Sequence, residues 1–424
     1  MGTVVKHARV LDPAAGLDGQ LDLLFEGGVI TRLGPDLPAE GHTVLDAAGL
    51  CMAPGLIDMH VHLRDPGQTW KEDIFTGTAA AAAGGFTAVA CMPNTKPVCD
   101  SLETLHYVQA RAAEAGSCRV LPVCAVTVGQ QGQELTDFAA LRAAGAAAFS
   151  DDGVPIQRAV IMRAALQRAA ALDSVILCHE EDGEMVENRA CNEGRISALL
   201  DLPGRPAVAE DIMVARDVLL AADTGAHVHI CHVSTAGSVE IIRQAKAAGV
   251  HVTAETCPQY FWFTEDLLPE KGTLARVNPP LRTERDRQAV LAGVLDGTLD
   301  CLVTDHAPHA AEEKARPLPD APSGMIGLET SLAASLTALY HGGHLSLPEV
   351  LRRMSTNPAR VLGCGGGTLA VGSPADLVLF DPDEAWTVDP VQFRSKARNC
   401  LFAGMTLRGR VRRTICGGRT TFCI

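Results

Sequence analysis

The sequence predicts an α/β fold: a (β/α)8 barrel with a small β-sandwich domain assembled from both chain ends. Three observations predict it. Between residues 51 and 363, eight short aliphatic runs alternate with longer Ala-rich stretches, the pattern of βα units around a parallel sheet. The flanks, residues 1–50 and 364–424, read instead as short alternating strands broken by turns at Glu26-Gly27-Gly28, Gly366-Gly367 and Gly417-Gly418. The length of 424 residues suits a barrel of about 250 residues or more plus a smaller module. Hydrophobic residues make up 47% and aromatics only 4%, so the core must be Ala, Val, Leu and Ile.

Taken in order, residues 1–11 alternate like a strand and lack the charged and apolar regions of a secretion signal. No later run reaches the ~18 apolar residues of a membrane span, and the chain is expected in the cytoplasm. The barrel strands are expected at residues 52–59, 87–92, 119–127, 146–150, 174–178, 227–231, 251–256 and 301–304. The Ala run at 79–83 is ordinary helix between the first two. No G-x-G-x-x-G follows the first strand, which argues against an open doubly wound sheet. Residues 310–324, with Lys314, Pro317, Pro319 and Pro322, read as a long irregular lid or partner-contact loop. Arg408, Arg410, Arg412 and Arg413 form the only dense basic stretch and read as a solvated strand face. With a net charge of -14, this argues against a nucleic-acid partner. The fourteen Cys contain no C-x-x-C pair, and Cys178, Cys231 and Cys301 lie in apolar runs, so they are expected to be buried free thiols.

The chemistry gathers at the ends of the predicted strands. In Asp58-Met59-His60-Val61-His62-Leu63-Arg64, residues two apart face one side of a strand, so His60 and His62 present two imidazoles to one point. Alone this spacing is weak. Asp151-Asp152 closes strand four, His179 strand five, His232 strand six and Asp305 strand eight, so four more strand ends deliver metal-compatible groups to one rim. Taken singly, the histidines could be hydrogen-bonded core residues and Asp-Asp-Gly a turn. As a set, His60, His62, His179, His232 and Asp305 give five ligands, more than one catalytic zinc uses, so two divalent metal ions are expected. A close pair needs a bridging anion, for which Asp152 is the candidate and Asp151 the alternative. No Lys lies between Lys96 and Lys246, so no lysine-derived bridge is available on that strand. Arg64, two residues beyond His62, offers a planar fork for a carboxylate, the bland alternative being a salt bridge at the barrel mouth.

With these residues in view, the chain resembles the amidohydrolase superfamily over essentially its whole length, including Gly372-Ser373-Pro374-Ala375-Asp376-Leu377 near its end. Three segments are similar to those of the dihydroorotase family: His60-Val61-His62-Leu63-Arg64-Asp65-Pro66-Gly67, Met92-Pro93-Asn94-Thr95 and Thr304-Asp305-His306-Ala307-Pro308-His309. The resemblance implies one zinc held by His60, His62, Asp152 and Asp305, and a second by Asp152, His179 and His232. It implies that Arg64, Asn94 and His309 hold a small-molecule substrate and that Asn278 with Ser323-Gly324 lines its ring. Asp305 would act as general base and then general acid in opening and closing a cyclic amide. Strand four departs from the many relatives that carry a carboxylated lysine there, which shifts the subtype more than the function. Homodimerisation and association with aspartate transcarbamoylase are implied too. The competing readings are a hydantoinase or allantoinase, and a catalytically silent barrel serving as partner to aspartate transcarbamoylase.

Overall fold

The computed structural model describes residues 2–187 and 189–424; Met1, at the head of the first predicted strand, lies outside them. Eight parallel strands follow one another around the centre: β1 (Leu56–Val61), β2 (Phe86–Cys91), β3 (Arg119–Cys124), β4 (Ala148–Phe149), β5 (Val175–Cys178), β6 (His227–Ile230), β7 (Val252–Thr256) and β8 (Cys301–Leu302). Each pairs with its sequence neighbour, and the ring closes through a parallel bridge between Val61 and His306. The seam is reinforced by Asp58, whose carboxylate accepts from the backbone N–H of His60 and of Thr304. That side chain takes over a ladder position, which is why β8 ends two residues earlier than the sequence suggests.

Largely Ala-rich helices wrap the barrel, several of them with side-chain N-caps. The first, Ile74–Ala83, starts at Asp73, which accepts from the Thr76 N–H while Thr76 reaches back to the Asp73 backbone. Aliphatic side chains from strands and helices merge into one core. Phe138 and Phe149 stack within it, centroids 4.0 Å apart. Phe149→Ala is expected to destabilise the fold by about 3–5 kcal/mol, read from the denaturant midpoint.

Both chain ends join one eight-stranded sheet. Its path runs Arg419–Cys423, Thr406–Cys416, Leu377–Thr387, Cys51–Pro54, Thr3–Asp12, Leu17–Glu26, Val29–Gly34, with Thr43–Asp46 also paired to Thr3–Asp12. The single strand expected over residues 52–59 is therefore two strands. Cys51–Pro54 belongs to the end sheet, and the barrel begins after Gly55. Only glycine fits there, since a Cβ would fall about 2.1 Å from the Thr87 hydroxyl. A two-stranded insertion between β5 and β6, Cys191–Asn192 with Gly204–Arg205, is not foreshadowed by any run in the sequence.

Residues 310–324 are only partly irregular: Ala311–Lys314 is helical, and buried Lys314 donates from Nζ to the Pro322 carbonyl, tying the segment down. All cysteines but Cys364 and Cys423 are buried, and all are free. No helix among the described residues is long and apolar enough to cross a membrane.

Candidate metal centre and substrate cavity

At the C-terminal mouth of the barrel the strand ends converge. His60 and His62 leave β1 on one face; His60 is fully buried, and His62 lies nearer the opening. The His62 Nε2 is 3.1 Å from Asp305 Oδ1 and 3.5 Å from Asp152 Oδ2. The other Asp152 oxygen, Oδ1, lies 3.3 Å from His60 Nε2, 3.4 Å from His179 Nδ1 and 3.6 Å from His232 Nε2. One carboxylate thus presents an oxygen to each of two histidine groups. Asp151 is turned away: its Oδ1 accepts from the N–H groups of Val126 and Thr127, and its Oδ2 from the Thr127 hydroxyl. Backbone caging leaves Asp152 as the carboxylate facing the histidines.

The donor set suits divalent cations. His60, His62 and Asp305 present ligand atoms close enough to share one ion, as do His60, Asp152 and His232. Buried His60 Nε2 and Asp152 Oδ1 have no hydrogen-bond partner. Leaving such atoms unpaired is costly unless something charged sits between them. Burial pushes the Asp152 carboxyl up, yet the imidazoles of His60, His179 and His232 hold it well below the usual range. Arg64, His232 and Asp305 also adopt left-handed backbone, with φ of 58°, 33° and 48°, a strain that non-glycine residues hold only where the surroundings enforce it.

One charged residue at the centre escapes the sequence reading. Glu255, at the end of β7, accepts from His60 Nδ1 at 2.6 Å and so turns Nε2 towards Asp152. Its position on the inward face of a strand, two residues after Thr253, was the available signal, since charged side chains rarely point into a barrel core. A carboxylate behind a metal-binding imidazole fixes its tautomer, and loss of such a group typically costs 10–100-fold in metal affinity. Glu255→Gln is accordingly expected to weaken zinc retention about 10-fold or more, measured by competition with a chromogenic chelator.

Above the histidines opens a cavity of about 210 Å3, lined by His62, Arg64, Asn94, Asp152, Gly153, His179, His232, Asn278, Asp305, Ala307, His309, Ser323 and Gly324. The structure therefore brings His62, Arg64, Asn94, Asp152, His179, His232, Asn278, Asp305, His309, Ser323 and Gly324 to this one place, with His60 just beneath and Asp151 outside it. Asn94 Oδ1 accepts from His62 Nδ1, leaving its Nδ2 to donate elsewhere. Asn278 donates to Glu181 and accepts from Arg205, the residue brought in by the two-stranded insertion. His309 Nε2 donates to the Ser323 carbonyl, and burial together with Arg64, Lys71 and Lys314 lowers its pKa to about 2, so its ring is neutral. Gly324 takes φ 137°, and a Cβ there would meet Ala307 and His309. The Arg64 guanidinium donates to the Pro308 carbonyl and has no carboxylate within ion-pair distance among the described residues. The salt-bridge alternative for Arg64 is not realised. Its cation is left facing a cavity.

Known proteins share this sequence and shape. Residues 49–238 match a family described as dihydro-orotase-like, and residues 326–422 one described as an amidohydrolase family. A dihydroorotase from Syntrophus aciditrophicus is 48% identical over 424 residues, covering 100% of this chain and 99% of that protein. One from Pelobacter propionicus is 47% identical, covering 100% of both. Among solved structures, the L-hydantoinase of Arthrobacter aurescens superposes with a TM-score of 0.89 at 27% identity, covering 99% of this chain and 95% of that one. The dihydropyrimidinase of Brevibacillus agri gives 0.85 at 25% identity, with the same coverage.

Proposed function

Because the chain belongs to the dihydroorotase family, we infer that it is a metal-dependent cyclic amidohydrolase that reversibly closes N-carbamoyl-L-aspartate to L-dihydroorotate in pyrimidine biosynthesis. The observation that carries the substrate assignment is the unpaired Arg64 guanidinium beside the histidine–aspartate cluster. Hydantoin and dihydropyrimidine rings carry no carboxylate for that fork, whereas dihydroorotate does.

Two divalent ions, taken here as zinc, would be held by His60, His62, Asp152 and Asp305 and by Asp152, His179 and His232. When bound they supply an acidified water, pKa ~7, and polarise the amide carbonyl. The remaining work falls to side chains. Arg64 grips the substrate carboxylate in two parallel hydrogen bonds, and Asn94, its Oδ1 engaged by His62, keeps Nδ2 to donate to the substrate. His309, anchored through Nε2 on the Ser323 carbonyl, shapes the cavity wall beside Arg64. The Asp305 carboxylate takes the proton released during attack and returns it to the departing ring nitrogen; ring closure reverses the transfer.

In the test, the purified chain turns over dihydroorotate with zinc supplied, loses turnover on chelation, and regains it when zinc is restored. Absence of turnover in both directions, with two metals bound, would sink the assignment and favour the silent-barrel reading. All six ligand positions are filled, which favours activity. A cytoplasmic homodimer, able to associate with aspartate transcarbamoylase, completes the proposal; sedimentation of the chain alone and mixed with that enzyme checks both contacts.

A further inference from the structure

Barrel interiors are ordinarily filled by layers of apolar side chains, yet this one contains a file of polar groups of which only the last, Glu255, has been given a role. His227 and His229 on β6, and Thr253 and Glu255 on β7, are each two residues apart and so share a strand face. The parallel register sets His229 directly beside Thr253. His227 Nε2 is 2.8 Å from Thr253 Oγ1, which is 2.7 Å from His229 Nδ1. His229 Nε2 is 3.2 Å from Glu255 Oε2, and Glu255 Oε1 is 2.6 Å from His60 Nδ1. Both His229 and Glu255 are fully buried. Burying an imidazole and a carboxylate side by side is expensive, and apolar replacements would serve the core at least as well.

The hydrogens along this file can be assigned. The Glu255 carboxyl sets one oxygen 2.6 Å from His60 Nδ1 and the other 3.2 Å from His229 Nε2, so each oxygen faces one ring nitrogen and accepts from it. His60 Nδ1 and His229 Nε2 must then donate. With Nε2 turned to Glu255, His229 Nδ1 lies 2.7 Å from Thr253 Oγ1, which also lies 2.8 Å from His227 Nε2, so the hydroxyl seats the ring from its far side. At the far end His60 Nε2 keeps its lone pair, as ligation of a cation requires.

We infer that His229, seated by Thr253, is a positioning residue that orients the Glu255 carboxylate and through it the tautomer and ring of the metal ligand His60. The inference rests on the metal-dependent reading above. In the test, the full-length chain is loaded with zinc, and zinc affinity is read by chelator competition alongside kcat, KM for dihydroorotate and thermal unfolding. His229→Leu, which fills the space but cannot donate, is expected to weaken zinc retention about 10-fold and to lower kcat with KM little changed. His229→Gln, whose amide can donate to Glu255, is expected to recover most of both. Thr253→Val, nearly isosteric without the hydroxyl, should shift zinc affinity the same way by about threefold. Wild-type zinc affinity and kcat in His229→Leu overturn the inference. So does an equal loss in the Leu and Gln variants, which would report lost packing rather than a lost hydrogen bond. Should His229→Leu not fold, unchanged zinc affinity in Thr253→Val overturns it alone. A wild-type chain that takes up no zinc defeats the metal-dependent reading itself, before any variant is compared.

Discussion

Asp305→Asn is expected to lower kcat by about 10²–10⁴-fold while KM for dihydroorotate changes little. Asp305 leaves the end of β8 on a left-handed backbone that swings its carboxylate over the cavity, 3.1 Å from His62 Nε2 and 3.7 Å from His60 Nε2. With Asp152, it is one of two carboxylates that border both the histidine cluster and the space where a ring would sit; Asp152 is enclosed by histidine nitrogens, and Asp305 faces only those of β1. An amide side chain preserves shape and one ligand oxygen but cannot take up a proton. Metal content measured on the same preparation separates the two roles: full occupancy with lost turnover reads proton transfer, and joint loss reads ligation. A variant that keeps both metals and turns over within tenfold of the parent would remove Asp305 from the proton path.

The second large effect is expected at Arg64. Removing one partner of a desolvated charge pair costs about 2–5 kcal/mol, so Arg64→Met should lower kcat/KM for dihydroorotate by about 30-fold or more. Dihydrouracil, the same ring without the carboxylate, should be far less affected, and that contrast is the informative measurement. Equal losses on both substrates would show that Arg64 shapes the cavity rather than reading the carboxylate. The charge needed is present through neutral pH: burial lowers the Arg64 pKa to about 10, with Asp305 and Asp152 supporting the cation. KM for dihydroorotate should stay flat on the alkaline side of neutrality, where a guanidinium holds its proton.

These predictions depend on residues of unequal legibility. The period of two in a strand makes His60 and His62 a pair in any register, and the alternation of aliphatic and Ala-rich runs makes a barrel whose strand ends share a rim. That much is local, and it sufficed to bring His179, His232 and Asp305 to the same mouth. The boundary at Gly55 is not local. Residues 52–59 read as one apolar strand, and only the fit of Gly55 against Thr87, with the pairing of Cys51–Pro54 to Thr3–Asp12 and Leu377–Thr387, divides it.

The sequence by itself therefore determined the fold class, the rim on which the chemistry sits and the kinds of side chain found there, because each follows from repeats of two to a few tens of residues. Which of two adjacent aspartates faces the histidines was decided by the amides of Val126 and Thr127, a strand away from Asp151. That Arg64 is left without a carboxylate, that Glu255 stands behind His60 across the barrel, and that Arg205 reaches Asn278 from an insertion are likewise tertiary facts. Their physical reason is common to all: a side chain's partner is set by what closes the barrel around it, and hydrogen-bond geometry at about 3 Å is not encoded in spacing along one strand.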